Sequence, residues 1–233
     1  MKAFFIAYSV NNGRFNMDFD EKLLEFAIKT NLSMPIFRLY GWSPACVSLG
    51  RNQSDSHIDK NFCVANNIDI VKRLTGGRAL LHDNELTYSF VCPVSFLKNG
   101  QTVIQSYKEI SGALAEGLKK ACIDAVFPQD KQAKTNYEYC MSLSTGADLS
   151  YMGKKIVGSA QFRKQGYILQ HGSIMFDYDK DVIRNIFGET PASENITTIK
   201  ESAPQLKLEE LCDSFKKGME DYFCLSFIPF DSF

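Results

Sequence analysis

Between Asp148 and Phe176 the chain reads as three strands in immediate succession, 148–152, 154–163 and 167–176. Only Gly153 separates the first two, and only Lys164-Gln165-Gly166 the second two. Joints this short leave no room for a crossover helix, so the strands are expected to be antiparallel hairpin neighbours. Alternate residues of a strand face opposite ways, so of Lys154 and Lys155 at most one points into any pocket beside this meander.

The remaining segments are arranged around it. Lys2 to Val10 reads as an opening strand that turns at Asn11-Asn12-Gly13-Arg14. Asp18 or Asp20 is expected to cap a helix over 21–30, where Leu23, Leu24, Ala27 and Ile28 have helical spacing. Strands are expected near 35–40, 45–49 and 69–73, with a small helix from His57 to Ala65 between the last two. Thr87 to Cys92 alternates as a half-buried strand that Pro93 stops. Residues 103–121 form a helix with Tyr107, Ile110, Leu114 and Leu118 on one face. Residues 179–187 and 207–222 read as further helices, and 224–230 as an edge strand. Helices mixed with a strand meander, without a regular βαβα rhythm, predict an α+β domain with a mixed, largely antiparallel sheet. At 233 residues, 45% of them hydrophobic, the expectation is one domain spanning 1–233 with a full core.

Composition narrows the function classes. A formal net charge of -1 argues against a general nucleic-acid or membrane-surface binder, which needs a basic excess. No segment is long enough to cross a membrane. The seven cysteines, at 46, 63, 92, 122, 140, 212 and 224, are odd in number and form no Cys-x-x-Cys pair. A disulfide framework or metal site is therefore not expected, and a reducing cytoplasm is the default.

The run Lys72-Arg73-Leu74-Thr75-Gly76-Gly77-Arg78-Ala79, continuing Leu80-Leu81-His82-Asp83-Asn84-Glu85-Leu86-Thr87-Tyr88-Ser89, carries the densest chemistry. Paired glycines let a backbone approach a ligand closely, and flanking arginines suit an anion or a polarised acyl carbonyl. A bare Gly-Gly with charged flanks is also an ordinary hairpin turn. The full run, however, resembles the signature of the lipoate–protein ligase and cysteine-dependent octanoyltransferase group of the biotin/lipoate ligase superfamily. Asp148-Leu149-Ser150-Tyr151-Met152-Gly153-Lys154-Lys155-Ile156-Val157-Gly158-Ser159-Ala160-Gln161 resembles the family's lysine segment, and Gln170-His171-Gly172-Ser173-Ile174 the strand after it. Leu49-Gly50-Arg51-Asn52-Gln53 resembles its arginine loop, and Phe15-Asn16-Met17-Asp18-Phe19-Asp20 stands where its first helix begins. These blocks occur in family order.

The resemblance implies the ligase catalytic fold, a central sheet with helices on its outer faces, and a choice between two chemistries. An octanoyltransferase takes an octanoyl group from acyl carrier protein, holds it on a cysteine, and passes it to the lysine of an apo lipoyl domain. The glycine cleavage H protein and the 2-oxoacid dehydrogenase E2 are acceptors of that kind. It needs no cofactor. The alternative, a lipoate–protein ligase, needs ATP and magnesium; a non-catalytic homologue that binds lipoyl domains is a further possibility. Cys140 falls where the transferases carry their nucleophile, and Lys155 occupies the family's lysine position. That lysine can stabilise charge on the acyl carbonyl and favour a neighbouring thiolate. Arg51, Arg73, Gly76, Gly77, Arg78, His82, Gly158, Ser159, Ala160, His171 and Gly172 are the implied substrate-binding positions. Small side chains at 158–160 suit a slender alkyl chain, whose burial is worth up to about 5 kcal/mol. The acceptor amine, with a pKa of ~10.4, is neutral in only about one molecule in 2,500 at pH 7, a cost of about 4.6 kcal/mol. His82 and His171 are the candidates for relieving it, and both are equally readable as structural histidines.

Overall fold

A computed structural model of the chain describes residues 1–128, 148–188 and 195–231. In chain order the elements are β1 (Lys2–Asn11), α1 (Gly13–Lys29), β2 (Ile36–Trp42), β3 (Cys46–Leu49), α2 (Lys60–Ala65), β4 (Asp69–Lys72), β5 (Leu80–His82) and β6 (Glu85–Pro93). They continue with α3 (Val103–Lys120), β7 (Leu149–Tyr151), β8 (Lys154–Lys164), β9 (Tyr167–Met175), α4 (Lys180–Phe187), α5 (Ile199–Ser202), α6 (Leu208–Phe223) and β10 (Ser226–Pro229).

Among the described residues, seven strands form one sheet in the order β10-β1-β2-β6-β9-β8-β7, parallel at β10-β1-β2 and antiparallel from β2 to β7. The expected α+β class and antiparallel meander are both present. Met152 with Gly153, and Gln165 with Gly166, all have positive φ, the signature of the two-residue turns whose twist matches hairpin strands. Both faces of the sheet are covered. Phe37, Leu39, Phe90 and Ile168 pack against Ile110 and Leu114 of α3 and Phe215 of α6. The alternating neighbours Ile36, Val91 and Leu169 pack against Leu23, Leu24 and Ala27 of α1. Helices α3 and α6 touch at glycines: a Cβ on Gly218 would lie 2.4 Å from the Gly117 Cα.

Three short strands, β4-β3-β5, form a second sheet that the single-sheet expectation did not contain. Its own core unites Val47, Leu49, Leu80 and Leu81 with Ile183 and Ile186 of α4. Helix α1 also differs from expectation. It starts at Gly13 because the Asn12 side chain accepts the Phe15 amide at 2.8 Å, so neither Asp18 nor Asp20 is the cap. Asp20 instead lies in the helix interior and is buried. Pro93 belongs to β6 rather than ending it before residue 93. Among the described residues no helix is long and apolar enough to cross a membrane.

Candidate active site

A small, narrow cavity of about 50 Å³ opens between the two sheets. Ser48, Arg73, Gly77, Leu80 and His82 wall it from the small-sheet side. Thr87 and the β8–β9 segments Gly158–Ala160 and His171–Gly172 wall it from the large sheet, and Met17, Tyr40 and Trp42 complete it. Of the expected substrate-binding residues, Arg73, Gly77, His82, Gly158, Ser159, Ala160, His171 and Gly172 thus converge from four separate stretches of chain. Its width is set by backbone approach. Ser159 pairs with Gly172 across β8 and β9, and a Cβ on Gly172 would sit 2.3 Å from the Gly158 carbonyl oxygen.

The glycine loop is held by one guanidinium. Arg73 Nη2 donates to the Gly76 carbonyl at 3.0 Å and the Arg78 carbonyl at 2.7 Å. Gly77 takes φ +94°, a region closed to most side chains, and its carbonyl lies so close to Gly50 that a Cβ there would be 2.0 Å away. Gly76 and Arg78, expected at the substrate, do not line the cavity; each contributes a carbonyl that accepts from Arg73. Arg51 stands apart: its backbone amide bonds the Thr75 carbonyl, while its exposed guanidinium lies 5.2 Å from the Phe162 ring centroid in a separate surface hollow.

The same Arg73 heads two buried hydrogen-bonded chains. Nη1 donates to Ser48 Oγ at 3.0 Å, Ser48 Oγ meets His82 Nε2 at 2.7 Å, and His82 Nδ1 meets Glu85 Oε1 at 2.7 Å. In the second chain Nε donates to Thr75 Oγ1 at 3.2 Å, Thr75 Oγ1 meets His171 Nε2 at 2.7 Å, and His171 Nδ1 meets Asp20 Oδ2 at 3.1 Å. A carboxylate only accepts, so each ring proton is assigned to the Nδ1 that faces one. Each Nε2 is then assigned as the acceptor of the hydroxyl beside it. His82 also stacks on Trp42 at a centroid distance of 4.0 Å, and Trp42 Nε1 donates to Thr87 Oγ1 at 2.7 Å. Thr87 and Ser173 hydroxyls donate to the two Glu85 oxygens.

The two carboxylates differ in their compensation. Asp20 already accepts from Arg38 at 2.8 Å, Tyr40 at 2.9 Å and Ser89 at 2.9 Å. Burial pushes the Asp20 carboxyl up, but the His171 hydrogen bond and the Arg38 charge outweigh it and hold it below its ordinary range. Burial lowers the His171 imidazole, against the opposing pull of Asp20. Among the described residues, the basic side chain in contact with Glu85 is His82.

Lys155 is buried on β8, its Nζ 3.0 Å from Asp148 Oδ2. The Ser159 amide donates to the other Asp148 oxygen at 3.4 Å, so the ammonium connects to the cavity wall through one carboxylate. Lys154 is half-buried on the adjacent position. Cys140 lies outside the described residues. None of the six described cysteines lines the cavity, and burial pushes the thiols of Cys46, Cys63, Cys92 and Cys212 up, the last to about 12. Sequence reasoning did not single out Ser48, Thr75, Glu85 or Asp20 for the site. Asp20 alone left a signal: it shares the 20, 23, 24, 27 spacing of the buried face of α1, a charge at a core position.

Fold and site define an α+β domain with a narrow slot between two sheets. The chain belongs to the lipoyl protein ligase A/B catalytic domain family, whose model matches residues 12–220. It is 36% identical over 232 residues to octanoyltransferase LipM of Exiguobacterium sp., covering 92% of this chain and 84% of that protein. It is 34% identical to octanoyltransferase LipM of Carboxydothermus hydrogenoformans, covering 96% and 87%. In fold it is similar to a T. acidophilum lipoate protein ligase structure with bound lipoic acid, at TM-score 0.81, 18% identity and coverage of 100% and 90%. It is likewise similar to lipoate-protein ligase A bound with ATP, at TM-score 0.78, 20% identity and coverage of 99% and 89%.

Proposed function

We infer that this protein is an octanoyltransferase of protein lipoylation, taking the octanoyl group as a thioester from acyl carrier protein and delivering it to the lysine of an apo lipoyl domain. The observation that carries this reading is the pairing of octanoyltransferase relatives across most of the chain with a narrow slot walled by Gly158, Ser159, Ala160 and Gly172. A thioester is already activated, so transfer from one needs neither ATP nor magnesium. The acceptors are apo lipoyl domains such as those of the glycine cleavage H protein or 2-oxoacid dehydrogenase E2, and the free thiols fit a reducing cytoplasm.

Cys140 is the thiol assigned to the covalent intermediate. Its motif position supports this, and so does elimination, since no described cysteine lines the slot and four are held protonated by burial. In the first step its sulfur attacks the octanoyl carbonyl and the carrier thiol leaves with a proton. In the second the acceptor amine attacks the same carbon and the Cys140 thiol leaves. Lys155 does not line the slot and reaches its wall through Asp148, so its motif position alone assigns it to the developing negative charge on the acyl oxygen. The Arg73-held glycine loop shapes the polar end of the slot.

The test uses purified protein, octanoyl-acyl carrier protein and an apo lipoyl domain, without ATP. The expected result is octanoylated lipoyl domain together with a hydroxylamine-sensitive adduct of octanoyl mass on Cys140, both lost in Cys140→Ser. Acylation that requires ATP and survives that substitution overturns the reading.

A further inference from the structure

We propose that Ser48, His82 and Glu85 form the proton outlet for the acceptor lysine, with Ser48 Oγ receiving the proton, His82 storing it and Glu85 acting as the positioning residue. This rests on the octanoyltransferase reading, because the second half-reaction creates the need. An acceptor lysine arrives as an ammonium, and attack requires the free amine.

The geometry supplies a path. Ser48 and His82 both line the slot, while Glu85 stands behind the imidazole. Ser48 Oγ accepts from Arg73 and donates to His82 Nε2, leaving a second lone pair for an incoming ammonium. A proton arriving on Ser48 Oγ displaces the hydroxyl's own proton onto Nε2. The imidazolium then faces Glu85 at 2.7 Å, the ring locked between the Trp42 stack and that hydrogen bond. The amine attacks the thioester carbon, the carbon–sulfur bond breaks, and the leaving sulfur takes the second nitrogen proton. The imidazolium returns its proton to solvent.

Charge distribution selects this chain over its twin. A proton on His171 would face an Asp20 already paired with Arg38, whereas a proton on His82 would face Glu85, a buried carboxylate against which His82 is the basic side chain among the described residues. The other charged and titratable groups facing the pair are Arg73 and His171, with Asp83, Cys46 and Tyr40 around Glu85. Of these groups, Glu85 is the carboxylate in direct contact with the His82 ring, at 2.7 Å.

Glu85→Gln keeps an acceptor for His82 Nδ1 and removes only the charge, and Ser48→Ala breaks the path at its entry. The experiment separates the half-reactions by rapid quench and intact mass: octanoyl loading from octanoyl-acyl carrier protein, then single-turnover transfer to an apo lipoyl domain, from pH 6 to 9. Expected is a transfer deficit that exceeds any loading deficit, about tenfold in Glu85→Gln and about a hundredfold in Ser48→Ala at pH 7 once each is divided by its own loading rate. The transfer deficit should shrink as pH rises, because free amine then forms without help. Glu85→Asp should recover part of the rate. Transfer at the wild-type rate across this range overturns the relay, as does a deficit equal in both half-reactions or independent of pH, which marks a structural role. A wild-type protein that forms no acyl adduct fails earlier, at the octanoyltransferase reading, and takes the relay with it.

Discussion

The Lys155 ammonium lies 3.0 Å from an Asp148 carboxylate oxygen, and each side chain is 2% exposed. Both lie in the segment that resembles the family's lysine motif, so one ion pair serves the fold and the assigned chemistry together. Removing the cation alone deprives a buried carboxylate of its ammonium. Lys155→Met is therefore expected to lower stability by about 3–5 kcal/mol. The double variant Lys155→Met/Asp148→Leu should recover most of it, because an apolar pair replaces two desolvated charges. Urea unfolding measures the recovery. Acyl transfer should stay lost in the double variant, and its return would remove Lys155 from the mechanism.

Acid should weaken the protein in two windows. The unfolded His171 imidazole takes up a proton near pH ~6.5, while the folded one, lowered by burial, takes it up only at lower pH. Unfolding therefore binds a proton, and stability falls as pH drops from about 6.5. Asp20 is held below its ordinary range, so its contribution is present above about pH 4 and is lost as pH falls through its folded value. His171→Asn should remove the upper window and also narrow the lower one, because the His171 hydrogen bond helps hold Asp20 down. Denaturation midpoints from pH 7 down to 3 check both slopes.

Gly50→Ala is expected to damage the glycine loop from outside it. The new Cβ would stand 2.0 Å from the Gly77 carbonyl oxygen, a backbone atom that cannot swing aside as a side chain would. Displacing that carbonyl moves the loop tied to Arg73. The expected cost is about 1–3 kcal/mol in unfolding free energy, with weaker capture of the octanoyl donor. A variant as stable and as active as the parent would show that the loop adapts freely.

Chain-length preference should follow the wall formed by residues 158–160. Ala160→Leu takes space from the slot, and each methylene excluded forfeits about 0.8 kcal/mol, roughly fourfold in apparent affinity. Competition between hexanoyl and octanoyl donors, read by mass, should shift toward the shorter chain. An unchanged ratio would place the acyl chain elsewhere.

The strand meander was legible because its turns demand positive φ, which Gly153 and Gly166 advertise. The helices at 103–121 and 207–222 were legible from period, and Gly77, Gly158 and Gly172 from the family motifs that contain them. The chemistry behind the motifs was not. Ser48 is one residue of a short buried strand, and its partner His82 is 34 positions away. His171 and Asp20 are 151 positions apart. Such bonds leave no local period, and only the packing of the two sheets creates them. The helix cap was misplaced for a related reason: Asn11-Asn12-Gly13 reads as a turn, yet Asn12 reaches forward to the Phe15 amide and starts α1 there. The division into two sheets was equally hidden, since β3 pairs parallel with β4 and antiparallel with β5.

The slot has one wall on each sheet, and the chain passes from β5 to β6 through only Asp83 and Asn84. Whatever fills it therefore works as a clasp as well as a cargo. Occupancy of the slot and the spacing of its two walls are then linked, so a substitution that alters how the sheets pack is felt as a change in affinity even where it touches no ligand.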